Sequence, residues 1–115
     1  MEGDRDLLRG NTPMLILAVL NDGPQHGYAI AQEIERRSDS SLQLNQGTLY
    51  PALHALERDG LIVGRWHVGE GERPKRVYHV TDIGQSEFER RTQTWCQFTR
   101  AVDGVIRGKL HEQLT

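Results

Sequence analysis

The stretch 45–60, Asn-Gln-Gly-Thr-Leu-Tyr-Pro-Ala-Leu-His-Ala-Leu-Glu-Arg-Asp-Gly, alternates apolar and polar positions at the period of a helix. Leu49, Leu53 and Leu56 fall four and three residues apart, so they stack on one side and predict a buried face. Gln46, Gly47, Tyr50 and His54 fall on the other side, a short, weakly charged face of hydrogen-bonding groups that suits reading base edges in a major groove. Asn45 predicts an N-cap, and Gly60 followed by Leu61 predicts a C′ glycine with its hydrophobic contact. Pro51 removes one helical hydrogen bond, at about 3 kcal/mol unless its amide had no partner anyway. Two starts are therefore compatible with the pattern: Asn45 with a slightly loosened first turn, which is favoured, or Thr48, which places Pro51 in the first turn.

Upstream, Thr12 and Pro13 supply an N-cap and an N1 proline for the apolar run 14–20, which ends at Asn21-Asp22-Gly23-Pro24 and predicts a buried first helix. Residues 1–11, including Leu7, Leu8 and Arg9, form either an extra turn of helix or an arm reaching to a partner subunit. Residues 23–27 predict a loop. Residues 28–38 predict a second helix with Ala29, Ile30 and Ile34 inside and Glu33, Glu35, Arg36 and Arg37 outside. A polar turn at 39–41 and a short extended piece at 42–44 lead into the leucine-faced helix. This is the order of a helix-turn-helix domain, with a turn longer than the tight form.

Beyond Gly60, β-rich runs at 61–68 and 75–81 flank the glycine-rich stretch 69–74, which predicts a hairpin with a loose tip and, with the helices before it, a winged helix. Thr81 caps a last helix from Asp82. Phe88, Trp95, Phe98, Val102, Val105 and Ile106 recur along it at spacings of three, four and seven; Arg91 interrupts the pattern, and Gly104 and Gly108 favour fraying near the end. A lone helix cannot bury that stripe, so it is expected to pack on its symmetry mate and present two reading helices to two half-sites. The expected fold is mainly α with a small β-hairpin wing: a winged helix-turn-helix DNA-binding domain over 1–81, with 1–11 as an N-terminal arm, and a C-terminal dimerisation helix over 82–115.

With 115 residues there is room for one modest core and one arm. No apolar run is long enough to span a bilayer, and the acidic N-terminus lacks a signal-peptide pattern, so a cytoplasmic location with no membrane partner is expected. Cys96 is the sole cysteine, which rules out an internal disulfide or a cysteine-based zinc cluster and predicts a buried structural thiol. A formal net charge of −2 argues against indiscriminate coating of nucleic acid. DNA binding must instead rest on local charge: Arg36 and Arg37 at the end of one helix, and Arg65, Arg73, Lys75 and Arg76 in the hairpin. None of the five histidines has a partner at the helical spacing of a metal set. A turn centred on Gly71 and Glu72 pairs His67 with Arg76 and puts His79 on the other face. Ser38, Ser40 and Ser41 lack a nucleophile turn. No metal, no cofactor, no catalytic residue and no enzymatic activity are expected.

Four segments resemble the PadR family of transcriptional regulators: Leu15-Ile16-Leu17-Ala18-Val19-Leu20; Gly23-Pro24-Gln25-His26-Gly27-Tyr28; Gly47-Thr48-Leu49-Tyr50-Pro51-Ala52-Leu53 through Leu56-Glu57-Arg58-Asp59-Gly60-Leu61-Ile62; and Arg76-Val77-Tyr78-His79-Val80-Thr81-Asp82-Ile83-Gly84. The resemblance implies a dimeric repressor with a winged-helix reader, a C-terminal dimerisation helix, and DNA contact through Tyr50 and its neighbours. It also implies that the proline is tolerated, which supports Asn45 as the cap. The short C-terminal part resembles the small-armed branch of the family, so an aromatic or hydrophobic effector, to which many relatives respond, would lodge only between subunits.

The expected DNA-binding residues are Gln46, Gly47, Thr48, Tyr50 and His54 on the third helix, with Gln46 able to pair with adenine and Tyr50 able to reach a phosphate or a thymine methyl. Arg73, Lys75 and Arg76 are expected at phosphates, diluted by Glu70 and Glu72. Trp95 either stacks on an aromatic effector or packs in the subunit interface. Tyr28 is expected to support the core. The function expected is a sequence-specific DNA-binding regulator, a repressor acting as a homodimer on a palindromic operator and relieved by a small hydrophobic or aromatic effector. The alternative is a winged-helix protein–protein interaction module, which would lack the steep salt dependence of phosphate contacts.

Overall fold

Ile16, Leu17, Val19 and Leu20 form a continuous buried face on the first helix, and the remaining elements are laid over it. The computed structural model describes the backbone of residues 2–114 and the side chains of residues 5–108. Its elements are α1 (Glu2–Asn21), β1 (Gln25–His26), α2 (Gly27–Arg37), α3 (Gln46–Arg58), β2 (Ile62–His67), β3 (Lys75–Val80) and α4 (Asp82–Leu114). Ile30 and Ile34 of α2, Leu49, Leu53 and Leu56 of α3, Leu61 and Ile62 after it, and Tyr78 of β3 complete the core.

Helix α1 does not start at Thr12. It runs through Pro13, and residues 2–11 are helix rather than a separate arm. Thr12 is 1% exposed, and its hydroxyl donates back to the Leu8 carbonyl at 2.7 Å; the Asn11 amide does the same to the Leu7 carbonyl at 2.7 Å. A side chain that caps a helix start can equally bond backward inside one. Here the helix continues because its first half has something to pack on, with Leu7, Gly10 and Met14 lying beside Trp95 and Phe98 of α4.

The segment 23–27 is not only loop. Gln25 and His26 pair with Tyr78 and Val77, so the wing is a three-stranded antiparallel sheet in the order β1-β3-β2. Two residues are too few for alternation to show in a sequence. His26 then caps α2, its Nδ1 accepting from the Ala29 amide at 3.3 Å. Helix α2 closes at Ser38 and is followed by Asp39 and Ser40, both left-handed at φ 49° and 65°. Residues 42–44 form no strand; Leu42 and Leu44 pack against the core instead.

The hairpin register also differs from the expected one. Trp66 pairs with Arg76, His67 with Lys75 and Val63 with His79, which centres the turn on Gly71, at φ +75°. His67 and His79 therefore share a face, since directly opposed residues do, but they stand four positions and about 13 Å apart along the strands. Among the described residues no three potential metal ligands cluster. Ile62, Tyr78 and Val80 all turn to the core, and the pairing of Ile62 with Val80 puts them on one face, whereas His67 opposite Arg76 would turn Ile62 away from the other two.

Thr81 caps α4 as expected, its hydroxyl accepting from the Gly84 amide at 3.0 Å and lying 2.7 Å from the Gly60 carbonyl, to which it donates. Helix α4 passes through Gly104 and Gly108 to Leu114. Phe88 reaches the core, and beyond it the apolar stripe is uncovered. Cys96 is exposed, not buried, because it is not among the residues by which α4 meets α1.

The corner joining α3, β2 and α4 is tightest at Gly84. A Cβ there would fall inside the contact distance of the Leu61 carbonyl oxygen and press on Val80. Gly84→Ala is expected to lower the unfolding free energy by about 1–3 kcal/mol, as overpacking does. Urea titration followed by circular dichroism measures this, and a wild-type midpoint would contradict the close approach.

Candidate nucleic-acid interface

The capping of α3 follows the sequence closely. The Asn45 side chain accepts from the Thr48 amide at 2.9 Å, and both the Thr48 and Leu49 amides reach the Asn45 carbonyl, at 3.1 and 3.0 Å. Pro51 stays inside the helix on its exposed side. At the other end the Leu61 amide donates to the Leu56 carbonyl at 2.9 Å and the Gly60 amide to Glu57 at 3.1 Å, the paired bonds of a Schellman motif, with Gly60 left-handed at φ +76°. Leu49, Leu53 and Leu56 are buried; Gln46, Gly47, Tyr50 and His54 are exposed, and Thr48 is half-buried.

Tyr50 leans on the start of α2. A Cβ on Gly27 would lie 3.2 Å from the Tyr50 hydroxyl, so the glycine of His26-Gly27-Tyr28 makes room for the tyrosine of the third helix. Tyr28 itself is not in the core: it is 66% exposed and lines a cleft of about 940 Å³ with Arg9, Gln46 and Tyr50. Burial falls to Tyr78, whose hydroxyl is pushed above its ordinary pKa by desolvation.

The wing cations divide into two groups. Arg65, Arg73 and Lys75 are exposed and form no ion pair among the described residues. Arg76 is half-buried, turned toward α3, and bonded to Glu57 at 2.5 Å, which raises its pKa further. It crosses Gly64, where a Cβ would lie 2.5 Å from its Nε, and its guanidinium is 5.9 Å from the ring centres of both Trp66 and Tyr78. Arg36 and Arg37 are likewise engaged: both bond Glu33, whose pKa falls to about 2 through those two hydrogen bonds, and Arg37 also reaches Asp22 at 2.8 Å. The structure thus leaves the outward residues of α3 and Arg65, Arg73 and Lys75 of the wing exposed, and diverts Arg76, Arg36 and Arg37 to internal pairs.

Two residues near this surface were not singled out from the sequence. Trp66, 67% exposed, and Arg58 line a cleft of about 520 Å³ with His54, Glu57 and Arg76, between α3 and the wing. The alternation of Trp66 with Ile62 and Gly64 could have placed it on the α3-facing side of the hairpin. At the far end Trp95, 40% exposed, lines a second cleft of about 400 Å³ with Leu7, Met14, Arg91 and Phe98.

Known proteins share this arrangement. The sequence profile of the transcriptional regulator PadR-like family matches residues 16–90, from the buried face of α1 into α4. Transcriptional regulator Rv3488 of Mycobacterium tuberculosis is 34% identical over 100 residues, covering 87% of this chain and 90% of that one. Among solved structures, a transcriptional regulator from Clostridium thermocellum superposes with a TM-score of 0.79 at 26% identity, over 85% of this chain and 92% of the other. A PadR family transcriptional regulator from Eggerthella lenta gives 0.74 at 29% identity, over 88% and 86%. The profile spans well over half of the chain and the fold agrees across nearly its whole length: this chain belongs to the PadR-like family of transcriptional regulators.

Proposed function

We propose that this regulator is a cytoplasmic repressor that binds a palindromic operator as a homodimer, laying α3 of each subunit in a major groove. The observation that carries the proposal is the division of α3 into a leucine face committed to the core and an uncovered face of Gln46, Gly47, Tyr50 and His54. Gln46 pairs with an adenine edge, Tyr50 reaches a phosphate or a thymine methyl from its seat on Gly27, and Thr48 and Gly47 bring the start of the helix close to the bases. Arg73 and Lys75 at the hairpin tip neutralise phosphates, while Arg76 acts through its bond to Glu57.

The uncovered side chains of α4, Trp95, Phe98, Val102, Val105 and Ile106, supply the subunit interface. Apolar side chains that a protomer leaves in water at helical spacing gain by packing on their copies across a two-fold axis. A small aromatic effector is then accommodated between the subunits against Trp95, which lines the cleft between α1 and α4, and there it alters the angle between the two readers.

Anisotropy of a labelled duplex from upstream of the protein's own gene, against a scrambled duplex, is expected to show preferential binding. Gln46→Ala with His54→Ala should remove the preference, worth about 1–3 kcal/mol for each good base contact. Arg73→Gln with Lys75→Gln should weaken both duplexes alike and lower the salt slope by about two per subunit. Binding flat in salt and indifferent to these changes would point to a protein-docking module instead. Sedimentation should give a dimer that Phe98→Glu with Val102→Glu converts to monomers unable to hold the operator; a monomeric wild type would contradict the interface. An aromatic effector should change Trp fluorescence and operator affinity together, and no change in either across a panel of aromatic compounds would remove the effector from the scheme.

A further inference from the structure

A reader that puts α3 in the major groove and a wing in the neighbouring minor groove has to straddle the sugar–phosphate strand that divides the two grooves. In this protein the space between those elements is a shallow, open cleft, lined by His54, Glu57 and Arg58 from α3 and by Trp66 and Arg76 from the wing. We propose that this cleft seats that strand, with Trp66 packing on a deoxyribose and Arg58 pairing with a phosphate, in a gap whose width Arg76 and Glu57 hold. The proposal rests on the DNA-binding reading above and assigns to it contacts beyond the outer face of α3 and the hairpin tip.

Trp66 is the first support. It lies on the same face of the hairpin as Ile62, Gly64, Arg76 and Tyr78, the face turned toward α3, yet it is 67% exposed. Its ring lines the gap, with the Arg76 guanidinium 5.9 Å from its centre. A large apolar ring left in water beside a polar reading helix loses free energy until something covers it, and a deoxyribose offers an apolar face of matching size. Arg58 is the second. Its side chain is 74% exposed, and its one polar neighbour is Asp59 at 3.2 Å, an exposed pair too weak to hold it away from a phosphate.

The charge of the gap is the third support. Glu57 would repel a phosphate strand, but Arg76 bonds it at 2.5 Å and neutralises it. The bond also fixes distance, because Arg76 belongs to β3 and Glu57 to α3, and the absence of a side chain at Gly64 lets the arginine pass. Arg76 is thus a positioning residue: it sets how far the wing stands from the reading helix, and Arg58, held only by its exposed pair with Asp59, is the cation available to a phosphate.

The test uses the intact dimer and the labelled upstream duplex. Acrylamide quenching of the wild type minus that of Trp66→Phe isolates Trp66 from Trp95. Saturating the protein with duplex is expected to shield Trp66. Trp66→Ala should bind about tenfold or more weakly with an unchanged salt slope, as an apolar contact requires, and with an unchanged Tm, since the side chain is exposed. Arg58→Gln should lower the slope by about 0.9 per subunit, whereas Arg76→Gln should weaken binding without lowering the slope, as loss of a spacer rather than of a phosphate contact. Trp66 equally quenched in the complex, or Trp66→Ala binding like the wild type, overturns the seat and leaves the repressor reading standing. Failure of the wild type to bind either duplex overturns both.

Discussion

The burial of three leucines decides how this molecule meets its surroundings. Leu49, Leu53 and Leu56 are each almost wholly withdrawn from water, against Ile16, Leu17 and Leu20 of α1 and Ile30 and Ile34 of α2. At about 1.5–3 kcal/mol for a fully buried leucine, α3 has no competing orientation about its own axis. Gln46, Gly47, Tyr50 and His54 are therefore presented outward by the core, not by any interaction of their own. The approach of Tyr50 to Gly27 adds a second restraint, tying the start of α2 to the outward face of α3. Two of the segments that mark the family meet at that point, which gives a packing reason for their joint occurrence.

Charge is distributed by a different logic. A chain with a formal net charge of −2 cannot rely on an overall field to find an anionic polymer. Three glutamates each take up arginines: Glu33 binds Arg36 and Arg37, Glu57 binds Arg76, and Glu87 binds Arg90 and Arg91. The pKa of Glu33 and of Glu87 falls to about 2, through the hydrogen bonds from their arginines. Lowered carboxylate pKa values mean that these clusters persist above the ordinary carboxylate range and come apart only as pH falls from there toward about 2, so they are intact throughout the neutral range. Of the cations that form no ion pair among the described residues, Arg65, Arg73 and Lys75 belong to the wing.

Helix α4 works by incompleteness. Its first turn is locked by Thr81 and Gly84, and Phe88 anchors it to the core, but Phe98, Val105 and Ile106 project from a protomer that reaches 66 Å in its long dimension. A domain whose core closes without its longest helix has an apolar stripe to spare. The same helix provides one wall of the Trp95 cleft.

Periodicity, caps and turn residues are local, and the sequence alone therefore determined the second, third and fourth helices, the Asn45 cap, the Gly60 stop, the winged-helix order, the leucine core face and the outward residues of α3. The family motifs were equally plain, because each is a contiguous run. What depended on partners distant in the chain was decided only by the tertiary structure. Whether Thr12 caps or bonds backward hinged on α4 lying beside the first half of α1. The hairpin register hinged on Ile62, Tyr78 and Val80 sharing one buried face, and the third strand on Gln25 and His26 finding β3. Tyr28 and Tyr78 are the same residue type, yet one is in water and the other in the core. Arg76 reads as one of four cations in the hairpin, but Glu57 lies 19 residues away and claims it. A side chain's type is fixed by the sequence, but whether it is free to act is fixed by what the fold places beside it.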